Sequence, residues 1–149
     1  MKKLIIIPAF NESASIVRTV EEIRAQAPEF DYIVINDCST DGTGKLCHQR
    51  GFHVIDLPLN LGIGGAVQTG YRYARDRGYD MAVQVDGDGQ HDPMFLREMA
   101  RELERDQADM VIGSRFLEKK GFQSSAIRRV GIRYFTRLIR LATGQTITD

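Results

Sequence analysis

Short runs of β-branched and other apolar residues alternate along this chain with longer stretches in which apolar positions recur every three or four residues. Lys3–Ile7, Asp31–Ile35, Phe52–Ile55, Met81–Val85 and Asp109–Ile112 have the length and the Ile and Val content of strands. Ser13–Ala27 carries Ile16, Val20 and Ile23 at helical spacing, and Gly42–Arg50, Gly65–Arg77 and Pro93–Arg105 are the next predicted helices. Asp92 before Pro93 reads as a helix start, because the carboxylate caps free N–H groups and proline has no N–H to lose in a first turn. Strands alternating with helices in this way predict βαβ units and a mainly parallel sheet. The longest helical pattern, Ser125–Thr143, sets Ile127, Val130, Tyr134, Leu138 and Leu141 on one stripe and Arg129, Arg133, Arg137 and Arg140 on another. That second stripe fits either a solvated face or a helix lying against anionic lipid headgroups.

At 149 residues, without an internal repeat or linker, the chain is read as one domain. With 42% hydrophobic and 27% charged residues it has the balance of a soluble globular protein. No apolar run approaches the roughly 20 residues of a membrane span. Met1–Ile7 begins like a signal peptide, but Pro8, Asn11 and Glu12 end the run too early, so a cytoplasmic location is expected. Cys38 and Cys47 form neither a disulfide framework nor a zinc set and are expected to be reduced thiols. The net charge of zero argues against a nucleic-acid partner. It conceals a division, however: residues 1–114 carry 12 basic and 18 acidic side chains, residues 115–149 carry 8 and 2. The basic end calls for an anionic partner or a solvated face.

In an open α/β sheet, ligands bind beyond the carboxyl ends of the strands. The five predicted exits are Pro8-Ala9-Phe10-Asn11-Glu12, Asn36 to Gly42, Asn60-Leu61-Gly62-Ile63-Gly64-Gly65, Asp86 to Asp92, and Gly113-Ser114-Arg115. All are polar, glycine-rich or acidic, and together they describe a site. Asp86 and Asp88 leave their strand two residues apart, so extended geometry would point both the same way. Converging carboxylates repel unless a cation lies between them, and hard oxygen ligands suit Mg²⁺ or Mn²⁺ shared with substrate phosphates; the bland alternative is an exposed Asp-Gly turn. Gly62-Ile63-Gly64-Gly65 lacks the third glycine of a dinucleotide fingerprint, Val67 standing in its place, and no GKS or GKT run exists to make a P-loop. Its glycines serve either a ligand's close approach or helix packing. Asp37 is a candidate acceptor for a nucleobase N–H, or else a turn or cap residue. His91 reads as a loop histidine rather than a metal ligand.

Taken in order, Pro-Ala-Phe-Asn-Glu, Asn-Asp-Cys-Ser-Thr-Asp-Gly-Thr, Gly-Ile-Gly-Gly-Ala, Gln-Val-Asp-Gly-Asp-Gly-Gln-His-Asp-Pro and Gly-Ser-Arg-Phe resemble the family-two inverting glycosyltransferases, in particular the dolichol-phosphate mannosyltransferase-like, or polyprenyl-phosphate glycosyltransferase, group. The resemblance runs from Leu4 to Asp149 and implies a three-layer, Rossmann-like nucleotide-diphospho-sugar transferase (GT-A) fold. It also implies a single catalytic domain over residues 1–149, cut short at its C-terminal end. By the same resemblance Pro8, Ala9, Asn11, Glu12, Asp37 and Gly62 bind the nucleotide sugar, with Asp37 at the base. Asp86, Asp88 and Gln90 hold the metal on the diphosphate; Arg115 and Ser114, helped by Arg128 and Arg129, face the acceptor phosphate; Asp149 is the active-site acid. Phe10 stands where a tyrosine is common, and Asn36 and Cys38 stand where aspartate and glycine are more frequent.

The expected reaction is metal-dependent, inverting transfer of a hexose from a GDP- or UDP-sugar to a dolichyl or undecaprenyl phosphate, at the cytoplasmic face of a membrane. Alternatives are a saccharide hydroxyl acceptor, which would need a carboxylate base such as Asp149, a nucleotidyltransferase, and a non-catalytic nucleotide-sugar-binding fragment.

Overall fold

The structure is a computed structural model that describes residues 1–89, 91–105, 109–113, 135–137 and 139–141. Four strands, β1 (Lys3–Ala9), β2 (Asp31–Asn36), β3 (Val54–Asp56) and β4 (Met81–Gln84), form one sheet in the order β3-β2-β1-β4. Every pairing is parallel, with Ile6 of β1 opposite Ile33 on one side and Gln84 on the other. A central parallel strand is covered on both faces, and Leu4, Ile5, Ile6 and Ile7 are accordingly all buried.

The helices are α1 (Ile16–Gln26), α2 (Thr43–Gln49), α3 (Gly62–Asp76) and α4 (Leu96–Arg105), the last preceded by a 3₁₀ turn at Pro93–Phe95. Ile5 and Ile7 point into a core with Ile16, Val20 and Ile23 of α1, Cys47 of α2 and Leu96 of α4. Leu4 and Ile6 point the other way, into a smaller core with Ala66 and Ala74 of α3. This is the three-layer α/β arrangement expected. α3 lies so close to β1 that a methyl group on Gly70 would overlap the Ile6 side chain.

The boundaries differ from the sequence pattern for local reasons. α1 begins at Ile16 rather than Ser13, because a turn comes first in which the Glu12 carbonyl accepts the N–H groups of Ser15 and Ile16. α3 begins at Gly62, so the glycine run is its first turn rather than a loop, and the Asn60 amide oxygen accepts the Gly62 N–H at 3.1 Å. Asp92 caps as expected, accepting the Met94 N–H at 2.9 Å. The expected fifth strand is not formed: residues 109–112 are irregular, and Met110 and Ile112 are exposed. An apolar run becomes a strand only where its backbone finds a ladder partner. Residues 135–137 and 139–141 are helical. Among the described residues no helix is long and apolar enough to cross a membrane.

Candidate functional site

The strand order reverses direction between β1 and β4, and a crevice opens at such a switch point beyond the carboxyl ends of the strands. A pocket of about 360 Å³ occupies it. Pro8 and Ala9 at the end of β1 form its floor, with Phe10 and Glu12 beyond them; Asp37 enters from β2. Asn60, Gly62, Ile63 and Ala66 bring in the amino end of α3, and Asp86, Gly87 and Asp88 follow β4. Four of the five predicted exits therefore meet in one place. The amino end of a helix carries partial positive charge from unpaired N–H groups, which suits an anion in the pocket.

One side of the pocket is a set of interlocked loops. Asp37 is 2% exposed, and its Oδ1 accepts the Leu61 N–H at 2.7 Å, while its carbonyl accepts from the Asn60 amide at 3.2 Å and its N–H donates to the Ala9 carbonyl at 2.9 Å. The β1 and β2 exits are joined in the same manner. The Asn11 N–H donates to Ser39 Oγ, the Glu12 N–H to Thr43 Oγ1 and the Ser13 N–H to Asp41 Oδ2, at 3.0, 2.9 and 2.9 Å. Asp41 Oδ1 also accepts from the Thr43 N–H. Burial opposes ionisation of Asp41, but the hydrogen bonds from Thr43 and Ser13 outweigh it and hold the carboxyl well below the usual range.

On the other side, β4 ends at Gln84, so Asp86 and Asp88 lie in the following turn and not on an extended strand. Strand alternation is not what brings them together. The turn does, and glycines permit it: a Cβ on Gly87 would sit 3.1 Å from the Pro8 carbonyl, and Gly89 has φ 76°. Thr19 Oγ1 lies 3.2 Å from the Gly87 carbonyl, and the Gly87 N–H donates to the Pro8 carbonyl at 3.3 Å. The Asp86 carboxylate accepts from the Gln84 amide at 2.8 Å, and its N–H donates to His91 Nδ1 at 3.1 Å. A ring nitrogen that accepts cannot carry the proton, so the geometry assigns the hydrogen to His91 Nε2.

Asp86 and Asp88, both lining the pocket, fit a hard divalent cation that would take its remaining oxygens from a bound phosphate. Among the described residues no group of three or more His, Cys, Asp or Glu could cage a cation without such help.

Of the site residues expected from sequence, the fold brings together Pro8, Ala9, Glu12, Asp37, Gly62, Asp86 and Asp88. Asn11 does not line the pocket: its amide oxygen accepts the Thr40 N–H at 2.8 Å, and its φ of 58° is one that asparagine tolerates. Gln90, Ser114, Arg115, Arg128, Arg129 and Asp149, with most of the range 125–143 expected to be helical, lie outside the described residues. Sequence reasoning did not single out Asn60, Ile63, Thr19 or Gln84. Thr19 was findable, because a polar residue beside the apolar stripe of a packed helix must have a partner. Cys38 and Cys47 are free thiols, and burial, with a contribution from Asp56, pushes Cys47 up to about 11.

Comparison with known proteins bears on this geometry. The undecaprenyl-phosphate mannosyltransferase of Micrococcus luteus is 40% identical over 120 residues, covering 77% of this chain and 49% of that protein. The polyprenol monophosphomannose synthase of Mycolicibacterium smegmatis is 32% identical over 122 residues, covering 78% and 46%. This chain spans about half the length of these curated relatives. Among solved structures, glucosyl-3-phosphoglycerate synthase from Mycobacterium tuberculosis in complex with Mn²⁺ and uridine-diphosphate-glucose is similar at a TM-score of 0.55 and 25% identity, covering 68% of this chain and 39% of that one. The fold is that of the GT-A nucleotide-sugar transferases. Residues 4–149 match the family description Glycosyl transferase family 2, and the chain belongs to that family.

Proposed function

We propose that this chain carries the donor site of a glycosyltransferase that moves a hexose from a nucleoside-diphosphate sugar to a polyprenyl phosphate, with inversion at the anomeric carbon. The observation that carries the reading is the pocket at the β1/β4 switch point, with Asp37 on one side and Asp86 and Asp88 on the other. The relatives named for undecaprenyl phosphate and polyprenol support the acceptor class.

In this reading the nucleoside lies along the interlocked loops, toward Asp37 and Phe10, and the diphosphate lies between the amino end of α3 and the two acids. Asp86 and Asp88 would hold Mg²⁺ or Mn²⁺, which offsets negative charge as the nucleoside diphosphate departs. Gln84 turns the Asp86 carboxylate, and Thr19 secures the residue between the acids. A phosphate monoester has a second pKa near 6, so the acceptor is already a nucleophilic anion at neutral pH and needs cations to position it more than a base to activate it. Arg115 with Ser114, Arg128 and Arg129 are assigned that positioning, and Asp149 and Gln90 keep their roles as active-site acid and third metal ligand. The protein then works peripherally at a membrane surface.

A thermal-shift panel of GDP, UDP and ADP and the GDP- and UDP-hexoses, with and without Mg²⁺ or Mn²⁺, tests the donor site without requiring turnover. The expected result is metal-dependent stabilisation by GDP or UDP and by its sugar conjugates. No stabilisation beyond that of metal alone would overturn the assignment. For the acceptor, hexose transfer to undecaprenyl or dolichyl phosphate in a chain extended to its relatives' length is expected; transfer only to a saccharide hydroxyl would replace it.

A further inference from the structure

Behind the Asp37 side of the pocket, three side chains with no place in its wall are joined in a row. Asn36 Nδ2 donates to Asp56 Oδ1 at 2.6 Å, and His48 Nε2 lies 2.6 Å from Asp56 Oδ2. The other end of the Asn36 amide, Oδ1, accepts the Ser39 N–H at 3.2 Å. Ser39 Oγ in turn accepts the Asn11 N–H. The row runs from the last turn of α2, across the end of β3, into the loop that presents Asp37. Asn36 is 6% exposed, whereas His48 and Asp56 are open to solvent. The first turn of α2 closes over the pair so tightly that a methyl group on Gly44 would overlap the Asn36 amide.

The chemistry of this row is directional. A carboxylate on one side requires a donor and a backbone N–H on the other requires an acceptor, and an amide in one orientation serves both without taking up a proton. Aspartate at position 36 could accept from Ser39, but its second oxygen would meet the Asp56 carboxylate, and like charges at such a distance cannot both persist. A hydrocarbon would leave the half-buried Ser39 N–H without its acceptor.

We propose that Asn36, held by Asp56 and His48, is a positioning residue for the donor site: its amide sets the stance of the β2 exit loop and so the placement of Asp37 against the nucleoside. The proposal rests on the reading of the pocket as a nucleoside-diphosphate site and adds residues that do not touch the ligand. It predicts that the two partners can exchange chemistry. In an Asn36→Asp, Asp56→Asn double variant, Asp at 36 accepts from both Ser39 and the new amide, whose oxygen accepts a hydrogen bond from the His48 Nε2–H, and every bond in the row is restored.

The test measures affinity for GDP, UDP and inorganic pyrophosphate by calorimetry in Mn²⁺, with melting temperatures, for wild type, N36D and N36D/D56N. N36D is expected to weaken the preferred nucleoside diphosphate about tenfold while pyrophosphate, which lacks a base, changes less than about twofold; the double variant is expected within about threefold of wild type. N36D binding nucleotide like wild type, a parallel loss of pyrophosphate affinity, or a double variant no better than the single would overturn the network. If N36D does not fold, the double variant decides alone: near-wild-type nucleotide affinity supports the network, and its loss overturns it. A wild-type chain that binds neither nucleotide overturns the reading of the pocket, and the network with it, and so is distinguished from failure of the network alone.

Discussion

The two sides of the pocket are built on opposite plans. On the Asp37 side, loops from three strands satisfy one another's polar groups: Leu61 and Asn60 on Asp37, Thr40 on Asn11, Ser13 and Thr43 on Asp41. Its shape is set before any ligand arrives, and preorganisation of this kind lowers the cost of binding. On the acid side, Asp86 and Asp88 project from a turn with two glycines, and Asp86 meets the Gln84 amide and the His91 ring. In the proposed reading a divalent cation bound there offsets the repulsion between the two carboxylates. One side is a mould, and in the proposed reading the other is finished by what binds to it.

The largest perturbation strikes both sides at once. Gly70→Ala places a methyl group against Ile6, which is fully buried and β-branched, and pushes α3 away from β1. Chemical denaturation should show a loss of about 3 kcal/mol, the upper end of overpacking costs, with nucleotide affinity falling because the amino end of α3 is part of the pocket. A loss below the error of the measurement would mean that the close packing of this helix is not what holds the pocket's shape.

Asp88→Asn should separate the sides. Nucleoside-diphosphate affinity in Mn²⁺ or Mg²⁺ is expected to fall by well over tenfold, about 1.4 kcal/mol or more, with the melting temperature of the unliganded protein nearly unchanged. Chelating the metal should impose the same loss on wild type and add little to the variant. Calorimetry giving equal affinities for variant and wild type with metal present would mean that the acid side does not hold a cation.

The contrast also explains what the sequence could disclose. Four strands were legible because Ile- and Val-rich runs between helical patterns have few other homes. The fifth was not, since Asp109–Ile112 has the composition of a strand but no ladder partner among the described residues. The start of α3 was misplaced because Gly62–Gly65 reads as a loop, whereas Asn60 secures the Gly62 N–H and begins the helix there. Asp86 and Asp88 stood out because two acids around a glycine after an apolar strand are costly without a purpose, although the turn that carries them was read only as the bland alternative. Asn11, assigned to the ligand, does not line the pocket and holds Thr40, a residue 29 positions away. Such pairings between loops depend on the order of strands in the sheet, which no single motif encodes. For the same reason the Asn36–Asp56–His48 row became visible only in three dimensions.

The smallest effect belongs to the mould. Asp41→Asn replaces one carboxylate oxygen with an NH₂ group, so either the Ser13 or the Thr43 N–H loses its acceptor. The cost should be about 1 kcal/mol or less, because the site is open to solvent and screened. Its pH dependence identifies the cause. The folded-state pKa of Asp41 lies below its ordinary value of 3.8, so the contribution of the carboxylate is fully present above that value and fades as pH falls through it toward the folded-state pKa. The difference in melting temperature between wild type and variant should therefore stay constant from pH 8 to about pH 5 and narrow below about pH 4. A difference that persists unchanged through the acid range would assign the stabilisation to packing rather than to the charged acceptor. Affinity for Mn²⁺-pyrophosphate should be the same in both proteins, because the loops around Asp41 and the turn around Asp86 and Asp88 are held by separate sets of hydrogen bonds.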